Sequence, residues 1–532
     1  MTTLVRGTSG TSGTPDALTR DALTVLQPGF AGTTAPPDWV LRRIGEGLGS
    51  VALFGRNVVT PEQVAGLTAA LRAERDDVLV AIDEEGGDVT RLEVRTGSSF
   101  PGNLALGTVD DTGLTRAVAH ALGRRLADCG VDLNWAPSAD VNSNPDNPVI
   151  GVRSFGSDPD LVARHTAAYI EGMQSAGVAA CTKHFPGHGD TNVDSHHAMP
   201  LIAVDPDTLH ARELVPFRAA VAAGSKSVMS AHILLPALDP DNPATLSPRI
   251  LTGLLRRELG YDGLIVTDAV EMQAIASTYG MERGSVLAVA AGADALCVGG
   301  GLADEETVLR LRDALVAAVR TGELPEERLA DAAARVRALA SWVRSHPARG
   351  ARTGPGAAVQ EGTAPGTDTE AGTDTEAGTD TGAGTDIGLV AARRALRVTA
   401  GEKPYEAPAE GPYVASFTPV PNIAVGDETP WGIAAELDRL LPGTRTGTYG
   451  ADAAVEDVLR AAGERRIVAV VRDAHRHAWM REALDGLLDA RPGTVVVEMG
   501  LNQAPPRGAL HIATHGAARV CGAAAAEVIA GV

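Results

Sequence analysis

The chain has 532 residues, 44% hydrophobic and 21% charged, with 60 glycines and 3% aromatics, which excludes fibrous and membrane-embedded classes and leaves room for roughly three ordinary domains. Forty-six basic against 67 acidic side chains give a formal net charge of −21, so nucleic-acid backbones and anionic membranes are repelled and neither is expected as a partner. Cys129, Cys181, Cys297 and Cys521 lack C-x-x-C spacing, which argues against a zinc knuckle or disulfide framework and fits a reducing compartment.

The first thirty residues contain no apolar run after a basic start, and no window approaches the length of a membrane span, so a cytoplasmic location is expected. Seven apolar runs follow, at 50–54, 78–83, 131–141, 178–185, 227–232, 264–270 and 293–299. Amphipathic stretches such as PEQVAGLTAALRAER and LTGLLRREL separate them. Strands alternating with helices at this spacing predict an α/β sheet wound in one direction. The simplest closure over residues 15–345 is a (β/α)8 TIM-type barrel, although no eighth strand is evident.

Between 346 and 388 the unit GTDTEA recurs with drift from Gly366, Gly372, Gly378 and Gly384. Such a tract has little apolar surface to offset the entropy of ordering, so a disordered acidic, Gly-rich linker is expected. Strand-like runs at 466–475, 493–500 and 508–516 then predict a smaller α/β domain, an αβα sandwich, over 389–532.

Polar residues collect where the first six of these runs end: Arg56-Asn57, Asp83-Glu84-Glu85, Asp140, Lys183-His184, His232 and Asp268. A charge closing a buried strand costs desolvation, and an active site in the loops after the strands is the usual reason to tolerate it. The richest loop, KHFPGHGDTNVDSHHAMP at 183–200, holds four histidines. Three roles compete for them. Metal binding is disfavoured, because Pro186-Gly187 excludes the helix that would give His184 and His188 a common face. Packed or surface histidines are the second role, and general acid/base chemistry the third. For the last, Asp194 is two residues from His196, close enough to fix its tautomer and leave the other ring nitrogen for proton transfer.

VALFGRN, IDEEGGDVTRL, NWAPSADV, GVRSFGSDP, KHFPGHGDTNVDSH and LIVTDAVEM occur in this order. Together they resemble glycoside hydrolase family 3 β-N-acetylglucosaminidases of the NagZ type, from about residue 25 to 345. The resemblance implies a retaining mechanism with Asp268 as nucleophile and His196, oriented by Asp194, as acid and then base. It also implies sugar contacts from Asp83, Arg91, Arg153, Lys183 and His184, and no metal or other cofactor. His197 departs from the family, which often has an apolar residue there. A helix N-cap is the plainer role for Asp268, and a core position the plainer one for Trp135. The expected substrate is a terminal β-linked GlcNAc on glycans or peptidoglycan fragments. A GlcNAc β-phosphorylase, a β-glucosidase and a silent sugar-binding protein are the alternatives, the first because a neutral base repels phosphate less than a carboxylate would. The oligomeric state is unknown.

Overall fold

The computed structural model describes residues 16–193, 199–299, 304–346, 386–419, 425–426 and 428–532. Eight short strands lie in the first part: β1 (Leu26–Pro28), β2 (Ser50–Leu53), β3 (Leu79–Ile82), β4 (Leu133–Asn134), β5 (Ala179–Phe185), β6 (Ser227–Ser230), β7 (Leu264–Thr267) and β8 (Leu296–Val298). Every residue in them is buried, as in parallel strands covered on both faces. Strands β2 to β7 pair in chain order, all parallel, and β1 pairs with β8. Parallel bridges Gly29↔Ala52 and Val266↔Ala295 tie that pair to either edge, so the sheet curls round on itself.

The strand that sequence reading missed is β1. Three residues including a glutamine and a proline carry no apolar run to detect. The expected strand at 131–141 shrinks to Leu133–Asn134, because Pro137 has no N–H for a ladder and the chain turns away. Ala139 N–H still reaches Lys183 O, at 2.6 Å.

Ala52, Ala81, Ala179 and Ala295 pack with Trp135 inside the curled sheet, closed off by Val336, Leu339, Ala340 and Val343 of the helix Glu326–Ser345. Trp135 is therefore core. Other helices cover the outside. In Pro61–Glu74, Thr60 caps the first turn by accepting from Gln63 N–H, and Val64, Leu67, Thr68 and Leu71 form the buried stripe.

The second sheet comprises β9 (Arg397–Ala400), β10 (Tyr413–Phe417), β11 (Arg445–Tyr449), β12 (Ile467–Val471), β13 (Val495–Glu498) and β14 (Leu510–Ala513). Its order is β11-β10-β12-β13-β14-β9, with only β9 antiparallel. The three apolar runs of the sequence are β12 to β14. The edge strands β9 and β11 are polar and largely exposed, so they lack the hydrophobic signal, and β10 is a short YVASF.

The two regions are in contact. Arg394 pairs with Asp111 at 2.9 Å and Arg397 donates to Thr108 O at 2.8 Å. Gly388 lies so close to the Ser99 carbonyl that no β-carbon fits between them. Residues 347–385, most of the expected linker, lie outside the described residues. Among the described residues no helix is long and apolar enough to cross a membrane.

Candidate active site

The charged residues predicted at the strand ends gather beyond the carboxyl ends of β3 to β7. Asp83, Glu84 and Glu85 follow β3 directly, and Lys183 and His184 stand within β5. Lys183 is buried, with Nζ 2.6 Å from Asp83 Oδ1 and 2.7 Å from Glu85 Oε1. Arg153, also buried, grips Glu85 with Nη2 at 2.6 Å and Nε at 3.1 Å. Arg91 adds a third cation, its Nη2 3.2 Å from Asp83 Oδ2. The structure thus joins Asp83, Arg91, Arg153 and Lys183 in one lattice, with Glu85 at its centre.

Burial opposes charge on Glu85, but the adjacent Arg153 and Lys183 outweigh it and hold the carboxyl well below the usual range. Burial likewise opposes the Lys183 charge, and Asp83 and Glu85 outweigh that in turn. Glu85, Arg153 and Lys183 are thereby held in their charged forms in a low-dielectric setting, with their donors and acceptors oriented before any ligand arrives.

His184 is fixed by a residue to which sequence reading gave no role. Asp140, fully buried, lies 2.7 Å from His184 Nδ1 through Oδ2. Its Oδ1 accepts the backbone N–H groups of His184 at 3.2 Å and His188 at 2.7 Å, and Ser138 donates to Oδ2. With Nδ1–H donating to this carboxylate, Nε2 faces the Arg153 guanidinium at 3.4 Å as acceptor. Burial would raise the Asp140 pKa, but the two imidazoles and their N–H groups lower it strongly. His188 is pushed down to about 4 by burial and by His184, so the two rings, 5.9 Å apart, are not both cationic near neutrality. The usable signal for Asp140 and Glu85 was their place as acids ending buried strands.

Asp268 follows β7 and is half-buried. Phe185, Ser230 and Thr267 are level across β5, β6 and β7, which sets Asp268 on the same rim as His184, two strand spacings or about 10 Å along. Its charge bears on His188. It is not a helix N-cap, since the next helix, Gln273–Tyr279, is preceded by Met272. Instead its Oδ1 accepts Ala269 N–H at 2.8 Å. His232 donates from Nε2 to Ala269 O at 2.9 Å and bonds Thr245 through Nδ1, so it braces the turn bearing Asp268.

Asp194, His196 and His197 lie outside the described residues. The stem of their loop is held at several points. Asn147 donates to His188 O and Gly189 O at 2.9 and 3.0 Å, and Arg212 bridges Asp190 and Glu213, each at 2.6 Å. Among the other strand-end groups, Arg56 donates to Phe30 O and Gly299 O and closes a loop. Glu84 accepts the N–H groups of Arg91 and Leu92 and shapes the turn that presents Arg91. The described residues contain no group of three or more His, Cys, Asp or Glu arranged to hold a metal.

The family model for the glycosyl hydrolase family 3 N terminal domain matches residues 40–339. A β-hexosaminidase A of Pseudoalteromonas piscicida is 36% identical over 332 residues, covering 58% of this chain and 55% of its own. The chain thus spans about half the length of that relative. A β-hexosaminidase of Stenotrophomonas maltophilia strain K279a is 39% identical over 292 residues, 52% of this chain and 83% of its own. Among solved structures, a glycoside hydrolase family 3 β-N-acetylglucosaminidase from Paenibacillus sp. FPU-7 superposes with a TM-score of 0.81 at 33% identity, over 97% of each chain.

Proposed function

The chain belongs to glycosyl hydrolase family 3, and from that premise we propose that it is a retaining, exo-acting β-N-acetylglucosaminidase releasing terminal β-linked GlcNAc from glycans or peptidoglycan fragments. The observation that carries this reading is the lattice of half-buried Asp83 with buried Glu85, Arg153 and Lys183 on the rim that also bears Asp268. A sugar's hydroxyls need alternating donors and acceptors at fixed positions, which ionised pairs held by packing supply. The relatives' named activities support the same substrate class.

In the proposed reaction a carboxylate oxygen of Asp268 bonds to the anomeric carbon as the glycosidic C–O bond breaks. His196, aligned by Asp194, gives its proton to the departing oxygen. Water then attacks the glycosyl ester, His196 takes up its proton, and Asp268 is released. Asp83, Arg91, Arg153, Lys183 and His184 hold the ring. This work falls to a (β/α)8 barrel over 15–345, whose closure is supported by the bridges at both edges of the curled sheet. A linker over 346–388 and an αβα domain over 389–532 follow the barrel, with the cytoplasm as the compartment.

Chromogenic aryl β-GlcNAc tests the reading. The enzyme should cleave it and leave aryl β-glucoside intact, and Asp268→Asn should lose about a thousandfold or more. His196→Ala should lose far less on this good leaving group than on a disaccharide, because an aryl oxide barely needs protonation. Equal losses on both substrates would remove His196 from the acid role, and GlcNAc-1-phosphate formed in phosphate buffer would make the enzyme a phosphorylase.

A further inference from the structure

The loop that follows β3 carries Asp83, Glu85 and Arg91, and it is gripped from both sides. On the side of the first sheet, Glu85 is held by Arg153 and Lys183, and Asp83 by Lys183 and Arg91. The chain between closes into a turn in which Glu85 N–H donates to Val89 O at 3.0 Å and Gly87 N–H donates to Phe100 O at 2.9 Å. Its middle residues, Gly86 and Gly87, have φ of +79° and +65°, the region that favours glycine. A β-carbon on Gly87 would come within 2.4 Å of Gly102 Cα. The next residue, Asp88, turns its side chain to the second region.

Asp88 is buried and, among the described residues, both partners of its carboxylate come from that region. Oδ1 accepts Ala517 N–H at 2.6 Å, and Oδ2 accepts a hydrogen bond from Arg472 Nη2. Arg472 directly follows β12 and Ala517 lies in the loop after β14, so the ends of two strands of the second sheet close on one carboxylate. A second anchor lies further along the loop. Ser98 O accepts Val520 N–H at 3.3 Å, one of the donors that the first turn of the helix Arg519–Ala530 leaves without a partner inside the helix. Arg91 stands between the two anchors.

Packing does not fix this loop alone. A cavity of about 450 Å³ lies beside the turn, with Gly87, Asp88, Arg153 and Arg472 in its wall. Close packing leaves a segment a single position, whereas a turn beside such a void is placed by its polar contacts. A buried carboxylate deprived of its cation is costly, so the turn stays where the second region holds it.

Resting on the glycosidase reading, we infer that Asp88 and Arg472 are positioning residues through which the second sheet holds the β3 loop where Asp83 and Arg91 meet the sugar. The second region thereby sets how tightly the ring is bound. Asp268 and His196, which act on the scissile bond, stand on other loops.

Steady-state kinetics of full-length variants on aryl β-GlcNAc test this. Asp83 and Arg91 hold ring hydroxyls in the ground state and the transition state alike, so Arg472→Met should raise KM about tenfold, the scale of one charge-assisted hydrogen bond, with kcat within about twofold. Arg472→Lys should recover part of the loss. Asp88→Asn should shift KM in the same direction, and the double variant should be no worse than Arg472→Met, since the two changes remove one shared interaction. Arg394→Ala is the control, because it breaks another ion pair between the regions, with Asp111, away from the β3 loop. It should leave KM and kcat unchanged. A lowered denaturation midpoint with KM unchanged in Arg472→Met overturns the inference and leaves the pair a purely structural role. A rise in KM as large in Arg394→Ala overturns it too, since docking in general would then be responsible. Should Arg472→Met fail to fold, KM in Arg472→Lys and Asp88→Asn decides, and if none of the three folds, the pair serves the fold and the inference falls. A wild type inactive on aryl β-GlcNAc is a separate failure, which removes the glycosidase reading and this inference with it.

Discussion

Both sheets place buried carboxylates at or beyond the carboxyl ends of their strands, yet the acids do different things. Glu85 and Asp140 of the first region are answered by side chains from other elements: Arg153 of a turn, and Lys183 and His184 of β5. Glu498, ending β13 of the second, is answered by backbone, accepting the N–H groups of Asp473 and Gly500 at 2.8 Å and of Ala474 at 3.2 Å. The electrostatic result is opposite. The cations lower Glu85, whereas burial and Asp473 push Glu498 up to about 7. A buried acid at a strand end is therefore not in itself a sign of chemistry. An acid held ionised by convergent cations displays charge to a ligand, and one wrapped in a turn's N–H groups shapes that turn.

The largest effect should come from removing the shared cation. Lys183→Met leaves Asp83 and Glu85 short of a partner, the case in which breaking a buried pair costs about 3–5 kcal/mol. Activity on aryl β-GlcNAc should fall by about a thousandfold, and the denaturation midpoint should drop with it. Loss of activity with stability intact would mean that the lattice positions substrate without holding the fold, and the contrast with Glu498 would sharpen. Unchanged activity would break it.

Asp140→Asn should cost less. The amide keeps an acceptor for His184 Nδ1–H but loses the charge and one acceptor that serve the two backbone N–H groups. A fall in kcat/KM of about ten- to a hundredfold is expected, the scale for a group that orients another, with an altered pH profile as the sign that imidazoles are affected. A loss confined to stability would assign Asp140 to the fold alone.

These two variants also mark how much was legible beforehand. Lys183, Asp83 and Asp268 stood out because a charge that terminates an apolar strand breaks the pattern of its surroundings. Arg153 and Arg91 have no such context: each lies in a turn, in GVRSFG and DVTRL, and only the family resemblance assigned them to the pocket. Asp140 and Glu85 broke the pattern just as clearly but received no role, since their function depends on partners 44 and 68 residues away in the chain. Pairing across strands is set by register, and register is not written in any local run. The same reason hid β1, β9 and β11, which are strands because a neighbour's ladder accepts them and not because their own residues are apolar.

The smallest effect concerns Glu498 and separates the two regions by pH. Its pKa of about 7 when folded lies above the unfolded value near 4.5, so the protonated form is the one that favours folding. Its contribution is fully present below pH 4.5 and is lost as pH rises through 7, a change of at most about 3 kcal/mol over that window. Glu498→Gln removes the titrating proton and sets an amide NH2 against the N–H of Ala474, so the variant should be about 1 kcal/mol less stable at pH 5. At pH 8 the wild type has lost its advantage, and the two should converge or cross. Chemical denaturation at both values reads this directly, with aryl-GlcNAc turnover as the control that stays within about twofold. If the gap between the proteins were the same at pH 5 and pH 8, the carboxyl would not titrate in this range, and its contrast with Glu85 would lose its electrostatic basis.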